Sequence, residues 1–196
     1  MDRIKQQLLV QFPFMKEAGK IHKSCTDPLR IIRDNNSART LILLCGVEGS
    51  GKTTFANKYL KDYSVINLDE LLHRYLESHR NQPLPRNFEK ELDNIFFAQA
   101  TESLQKGVTI LDCANHNISF RAYALNRLKP YYDKVIMFVF NPPFETIKKQ
   151  IMGQFLLRSR AGLWEDVKNQ YKVFQEQIKH EMFALGVDDV YMLKQN

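Results

Sequence analysis

A run of six residues at positions 40–45, Thr-Leu-Ile-Leu-Leu-Cys, is the feature that most limits the possible folds of this 196-residue chain. Apolar side chains follow one another there without alternation, which is typical of a strand that is buried on both faces of a sheet. Such strands occur in parallel sheets whose two faces are covered by helices. The run ends at Gly46, where a segment rich in glycine begins.

Further short segments have the composition of strands and alternate with segments of helical periodicity. Strands are predicted at residues 40–45, 64–67, 108–112, 134–140 and 189–193. Helices are predicted at residues 52–60, 69–79, 88–106, 119–128, 143–151 and 163–185. Strands that alternate with helices of this length predict an α/β fold, with a five-stranded parallel sheet between two helical layers.

Residues 46–53 read Gly-Val-Glu-Gly-Ser-Gly-Lys-Thr and match the P-loop pattern G-x-x-x-x-G-K-[ST] in full. Backbone N–H groups of such a loop point at phosphate oxygens, and the following helix adds the positive end of its dipole. The match predicts a P-loop NTPase three-layer sandwich that binds ATP or GTP. The nucleotide-binding residues are expected to be Glu48, Gly49, Ser50, Gly51, Lys52, Thr53 and Thr54, with Lys52 reaching the β- and γ-phosphates.

Acidic residues follow two of the predicted strands. Asp112 ends the strand at 108–112 and is expected to hold Mg²⁺ through water, while the Thr53 hydroxyl ligates the ion directly. No glutamate follows Asp112, which favours transfer to a bound acceptor over hydrolysis. Asp69 follows the strand at 64–67, at the edge of the sheet where ligands bind. It is either a base that accepts the proton of an attacking hydroxyl or the cap of the next helix.

Three segments, residues 45–56, 65–70 and 110–116, resemble the motifs of the polynucleotide-kinase branch of P-loop kinases. That branch includes phage-type 5′-hydroxyl polynucleotide kinases, the kinase-like domain of cyclic-nucleotide phosphodiesterases and, more distantly, the zeta toxins. The resemblance covers residues 40–193. It implies ATP- and Mg²⁺-dependent phosphoryl transfer to the 5′-hydroxyl of RNA or DNA.

The resemblance also implies roles for residues beyond the P-loop. Asp69 matches the general base of the family, and Asp112 matches the acid of its third motif. Asn115 and His116 resemble the polar pair after that acid, displaced by one residue, and would contact the acceptor.

Two further matches concern the lid and the acceptor. Arg158 and Arg160 lie where the family has lid arginines, whose guanidinium groups bind phosphate oxygens in pairs. Leu72 replaces an arginine that grips the acceptor's phosphate, and Arg74 is the nearest cation that could take its place. A nucleoside or another small molecule with a hydroxyl is therefore the alternative acceptor.

The net charge of +6 is concentrated in the first 39 residues, which hold eight lysines and arginines and four acidic residues. These residues are predicted to form a basic N-terminal extension, 1–39, of a kinase domain, 40–196, with a lid near 145–162. The excess charge fits either a solvated surface or a face that binds phosphates. On the second interpretation, deletion of the extension weakens oligonucleotide binding and spares ATP binding.

No apolar run is long enough to cross a bilayer, and the N-terminus does not resemble a signal peptide. Three widely spaced cysteines fit neither a disulfide framework nor a zinc site. These features predict an intracellular, cytoplasmic protein without a membrane partner; a nuclear location, a protein partner and self-association stay open. A nucleotide-binding module with low turnover and a protein partner is a further alternative.

Overall fold

The structure is a computed structural model that describes residues 3–13, 15, 19–36, 38–155 and 163–194. Its strands are β1 (Lys20–Cys25), β2 (Thr40–Cys45), β3 (Ser64–Asn67), β4 (Thr109–Asp112), β5 (Lys134–Val139) and β6 (Asp189–Leu193). Its helices are α1 (Arg3–Gln11), α2 (Pro28–Asp34), α3 (Lys52–Tyr59), α4 (Leu68–Ser78), α5 (Phe88–Leu104), α6 (Ile118–Leu128), α7 (Phe144–Phe155) and α8 (Leu163–Lys179). None of these helices combines the length and the apolar character that a membrane span requires.

All the strand pairs of the sheet are parallel, and the strand order is β1-β6-β5-β2-β4-β3. The P-loop strand β2 lies between β5 and β4, so that Leu44 is paired with both Phe138 and Asp112. Because every strand runs in the same direction, the loops that follow β2, β3 and β4 meet at one edge of the sheet. We call this edge, which is formed by the carboxyl ends of the strands, the phosphate edge; it is distinct from the two edge strands β1 and β3.

Side chains of β2 alternate between two separate cores. Leu41, Leu43 and Cys45 belong to the larger apolar cluster on one face, and Ile42 and Leu44 belong to the cluster on the other face. All five are fully buried. The predicted strand with two buried faces is therefore confirmed, together with the predicted α/β fold with helices on both sides of a parallel sheet.

The predicted count of five strands is wrong by one, because β1 adds a sixth strand at the edge of the sheet beside β6. Its sequence, Lys-Ile-His-Lys-Ser-Cys, has too few apolar residues to be recognised as a strand. Lysines are frequent on edge strands because they discourage pairing with another chain. The helix predicted at 163–185 is shorter in the structure, because α8 ends at Lys179. Glu181 then has a φ of 55°, and a short 3₁₀ turn follows it.

The segment before residue 40 contacts both faces of the sheet. Ile32 of α2 is completely buried in the cluster of Ile42 and Leu44. On the other side Met15 is buried against Ala122 and Leu185. Residues 20–34 are thus part of the sheet and its helical cover, while the division of the chain at residue 40 remains a prediction.

We expect Ile32→Ala to lower the free energy of unfolding by about 3 kcal/mol, because it leaves a cavity in a close-packed core. Ile95→Ala removes the same atoms from an exposed position on α5 and should cost less than about 1 kcal/mol. Urea denaturation of the two variants measures the difference. Equal, small effects would mean that α2 does not contribute to the folded core.

Candidate active site

The glycine-rich segment between β2 and α3 folds into a tight loop at the phosphate edge. Gly51 caps α3 in a left-handed conformation, with a φ of 93°, which residues with a side chain rarely adopt. A Cβ atom on Gly46 would lie 2.6 Å from the carbonyl oxygen of Phe140. The loop therefore needs glycine at both positions, one for its backbone angles and the other for its contact with the chain after β5.

Lys52 lies along the inside of this loop. Its Nζ donates hydrogen bonds to the carbonyl oxygens of Gly46 at 2.8 Å and Val47 at 3.0 Å. Burial lowers the pKa of the Lys52 ammonium group, and the nearby charges of Asp112 and Asp69 act in the opposite direction. The loop thus holds a cation at the position where the P-loop pattern expects contact with the β- and γ-phosphates.

The carboxylate of Asp112 connects three structural elements. Oδ2 of Asp112 accepts a hydrogen bond from the Thr53 hydroxyl and another from Nδ2 of Asn67, each at 2.7 Å. The side chain is almost fully buried. Burial raises the pKa of Asp112, while the bond from Thr53 and the charge of Lys52 lower it. Asp112 therefore ties the start of α3 to the end of β3.

Asn67 is a site residue that the sequence analysis missed. While its Nδ2 bonds to Asp112, its Oδ1 accepts a hydrogen bond from the Glu70 backbone N–H at 2.8 Å and caps α4. The signal was present in the sequence, since asparagine is a preferred cap and a glutamate three residues later is typical of a helix start.

Asp69 is the second residue of α4 and is exposed. Because Asn67 caps this helix, the interpretation of Asp69 as the cap is wrong. Asn67, two residues before Asp69, is hydrogen-bonded to Asp112 at the phosphate edge. The charge of Asp69 also acts on the pKa values of Lys52, Asp112 and Cys113. The helix start thus leaves the carboxylate of Asp69 free of a capping role, while its function as a base remains a prediction.

The donor set at this edge fits Mg²⁺. A hydroxyl from Thr53 and a carboxylate from Asp112 are the hard oxygen ligands that this ion prefers, usually together with water and substrate phosphates. Across the described residues, no group of three or more His, Cys, Asp or Glu could hold a metal by itself. Magnesium would therefore be held jointly by Thr53, by Asp112 through water and by the phosphates of the nucleotide.

Asn115 has a structural position in the loop after β4. Its Nδ2 donates to the carbonyl oxygens of Leu44 and Leu111, both at 3.0 Å, and its Oδ1 accepts from the Cys113 thiol. The side chain is completely buried. Its predicted contact with an acceptor is not supported by this geometry, since Asn115 instead holds the ends of β2 and β4 together.

His116 lies between the phosphate loop and α8. Its ring is 6.4 Å from that of Phe174, and its buried Nδ1 has no hydrogen-bond partner in the structure. Burial, together with the charges of Lys52 and Arg121, lowers the pKa of His116 to about 4, against the effect of a hydrogen bond to the Gly46 backbone. The imidazole is therefore neutral at neutral pH.

Arg74, Arg158 and Arg160 are the remaining predicted residues. Arg74 is exposed on α4, where its guanidinium is 3.8 Å from the carboxylate of Glu70. Arg158 and Arg160 lie outside the described residues, and so does the part of the predicted lid at 156–162. The two helices that flank it are described, and their contact includes Trp164, whose ring lies 5.3 Å from that of Phe144.

This geometry defines a P-loop nucleotide-binding site at the phosphate edge of a parallel sheet. A family model described as an AAA domain matches residues 41–160, more than half of the chain. The chain therefore belongs to this AAA domain family, and the predicted P-loop motif is confirmed. No curated protein matches the sequence significantly.

Two solved structures have a similar fold. A chain of the Pnkp1/Rnl/Hen1 RNA repair complex superposes with a TM-score of 0.62 and 18% identity, over 76% of this chain and 48% of that chain. This protein thus spans about half the length of that relative. A candidate kinase from Chloroflexus aurantiacus J-10-fl superposes with a TM-score of 0.50 and 10% identity, over 79% of this chain and 86% of that chain. The fold is that of P-loop kinases, as the resemblance implied.

We expect His116 to make folding depend on pH in a defined range. Its pKa is lowered from an ordinary value of 6.5 to about 4, so below pH 6.5 the unfolded chain binds a proton that the folded chain does not. Stability is therefore lost as the pH falls from 6.5 towards 4. The unchanged protein should lose up to about 2 kcal/mol of its free energy of unfolding at pH 4.5 through this group, and the His116→Gln variant should not show this loss.

Thermal or urea unfolding at pH 7 and pH 4.5 measures the effect. The matched control is His73→Gln, which changes an exposed histidine of α4. If both variants keep the pH dependence of the unchanged protein, His116 is not the group that titrates.

Proposed function

We propose that the protein transfers the γ-phosphoryl group of ATP or GTP to the 5′-hydroxyl of a polynucleotide, RNA or DNA. The observation that carries this proposal is the position of Asp69. Asp69 follows, by two residues, Asn67, which is hydrogen-bonded to Asp112 at 2.7 Å, and Asp69 does not cap α4. Its charge acts on the pKa values of Lys52 and Asp112. An exposed carboxylate next to a phosphate loop is suited to accept the proton of an attacking hydroxyl.

The reaction assigns one task to each residue. The 5′-oxygen attacks the γ-phosphorus while the bond to the β–γ bridging oxygen breaks, and Asp69 takes the proton. Lys52 and the loop amides would fix the phosphates, which requires Lys52 to exchange its carbonyl partners for phosphate oxygens. Thr53, and Asp112 through water, would hold Mg²⁺, which would supply positive charge for the phosphate oxygens. Arg158 or Arg160 would stabilise the transferred group.

A polynucleotide acceptor is supported by the three motifs of the polynucleotide-kinase branch and by the fold shared with a chain of an RNA repair complex. A small-molecule acceptor is the second candidate. One observation favours it: Leu72, where the resemblance implies an arginine, packs against the apolar core. The protein would then phosphorylate a nucleoside or a similar hydroxyl with the same residues.

A panel of acceptors separates these candidates. The protein is incubated with Mg²⁺ and γ-labelled ATP or GTP together with 5′-hydroxyl oligoribonucleotides, oligodeoxyribonucleotides, nucleosides or sugars. We expect label on oligonucleotides. Label on small molecules alone selects the second candidate, and nucleotide binding without any labelled acceptor indicates a binding module with a protein partner.

Asp69→Asn should lower the rate of transfer by about 10²- to 10⁴-fold, the usual contribution of a positioned base. Nucleotide affinity should stay within a factor of two to three of the unchanged protein, because the phosphate loop is intact. The matched control is Glu70→Gln, which neutralises the adjacent exposed carboxylate. Rates at saturating ATP and dissociation constants for Mg·ATP give both quantities. A rate in Asp69→Asn equal to that of Glu70→Gln would exclude Asp69 as the base.

A further inference from the structure

Helices α4 and α5 form an antiparallel pair that follows β3. The hydroxyl of Tyr75 donates a hydrogen bond to Oε2 of Glu91 at 2.5 Å, and Leu71 and Leu92 share the same apolar core. The residues that connect the two helices, 79–87, lie at the far end of this pair. We call residues 79–87 the hairpin tip.

The hairpin tip stands above the phosphate edge. Gln99 and Ser103 of α5 line the same cavity as Ser64 and Ile66 of β3, so the C-terminal half of α5 covers the strand. The N-terminal half of α5 must then extend beyond Asn67, where β3 ends. At about 1.5 Å per helical residue, α4 carries the chain about 15 Å from the start of the helix to the tip.

The hairpin tip is basic and exposed. Arg80 and Arg86 are both exposed, and neither forms an ion pair with a described residue. Between Glu77 and Glu89 the sequence contains no acidic residue. The tip therefore presents two uncompensated cations on the same side of the sheet as Asp69.

Two lysines of the basic N-terminal segment lie at the opposite edge of the sheet. Lys20 and Lys23 are exposed on β1, which forms one edge of the sheet, whereas β3 forms the other edge. Five strand spacings of about 4.8 Å separate the two edges by about 24 Å. Of the other cations, Arg39 is paired with Asp133. Lys20 and Lys23 are therefore too far from Asp69 to contact the first nucleotides of an acceptor strand there.

We propose that the hairpin tip binds the acceptor strand, as single-stranded nucleic acid, through contacts of Arg80 and Arg86 with its phosphates. This inference rests on the proposed polynucleotide kinase activity. A strand whose 5′-hydroxyl lies at Asp69 reaches the tip after about 15 Å, and a stacked strand advances about 3.4 Å per nucleotide. The arginines would thus contact phosphates about four nucleotides from the 5′-end, and shorter acceptors would not reach them.

Length dependence gives the proposal a specific test. The double variant Arg80→Ala/Arg86→Ala is compared with Lys20→Ala/Lys23→Ala, which removes the same charge from the opposite edge of the sheet. Acceptors are a 5′-hydroxyl dinucleotide and a single-stranded 12-mer, as DNA and as RNA. We expect the arginine variant to raise KM for the 12-mer about ten-fold, with little change in kcat and none for the dinucleotide.

Fluorescence anisotropy of the labelled 12-mer measures binding without any reaction. The salt dependence of log Kd should decrease by about one to two in slope for the arginine variant, and not for the lysine variant. Equal effects of the two variants would overturn the inference, as would an equal loss for dinucleotide and 12-mer.

The two measurements separate this inference from the proposed function. If the 12-mer binds through Arg80 and Arg86 but receives no phosphate, the proposed activity fails and the binding surface stands. If the 12-mer is phosphorylated equally well by both double variants, the activity stands and the inference fails. If the unchanged protein does not bind the 12-mer at all, the inference fails with the polynucleotide acceptor.

Discussion

The buried carboxylate of Asp112 is the group on which the geometry of the site depends. A carboxylate removed from water must be compensated by hydrogen bonds or by charge, and Asp112 obtains both from Thr53, Asn67 and the nearby Lys52. Lys52 and Thr53 lie at the start of α3, and Asn67 ends β3 and caps α4. The chemistry of one buried acid therefore fixes the phosphate loop, the end of β3 and the start of α4 relative to one another.

The central part of the fold could be predicted because its signals are local and redundant. The strand at 40–45 is apolar throughout, and the P-loop that follows it has a nearly unique pattern. β1 could not be predicted, because its six residues include only Ile21 and Cys25 as apolar positions and its stability comes from pairing with β6, far away in the sequence. Edge strands need polar residues for solubility, and this requirement removes the pattern by which strands are recognised.

The types of residue at the site could be predicted from the sequence, but the role of each residue could not. Sequence spacing allowed Asp69 to be either a cap or a base, and only the contact of Asn67 with Glu70 shows which residue caps α4. Similarly, Asn115 has the polarity of an acceptor ligand, yet its hydrogen bonds go to the backbone of β2 and β4. The bond of Asn115 to β2 depends on which strand lies next to β4, and this information lies in the sheet order.

The positions of the basic residues could not be predicted from the sequence either. The net charge of a segment does not show where its charged residues lie in the folded protein. The eight cations of residues 1–39 therefore suggested a surface for nucleic acid near the phosphate loop. Chain topology sends β1 to one edge of the sheet and the α4–α5 pair to the other. The two arginines of the hairpin tip are about 15 Å from Asp69 along α4, and Lys20 and Lys23 are about 24 Å away across the sheet. The shorter distance favours the arginines, because electrostatic attraction between exposed groups weakens over a Debye length of about 10 Å. Position relative to Asp69, rather than the number of cations, decides which residues can act on an acceptor.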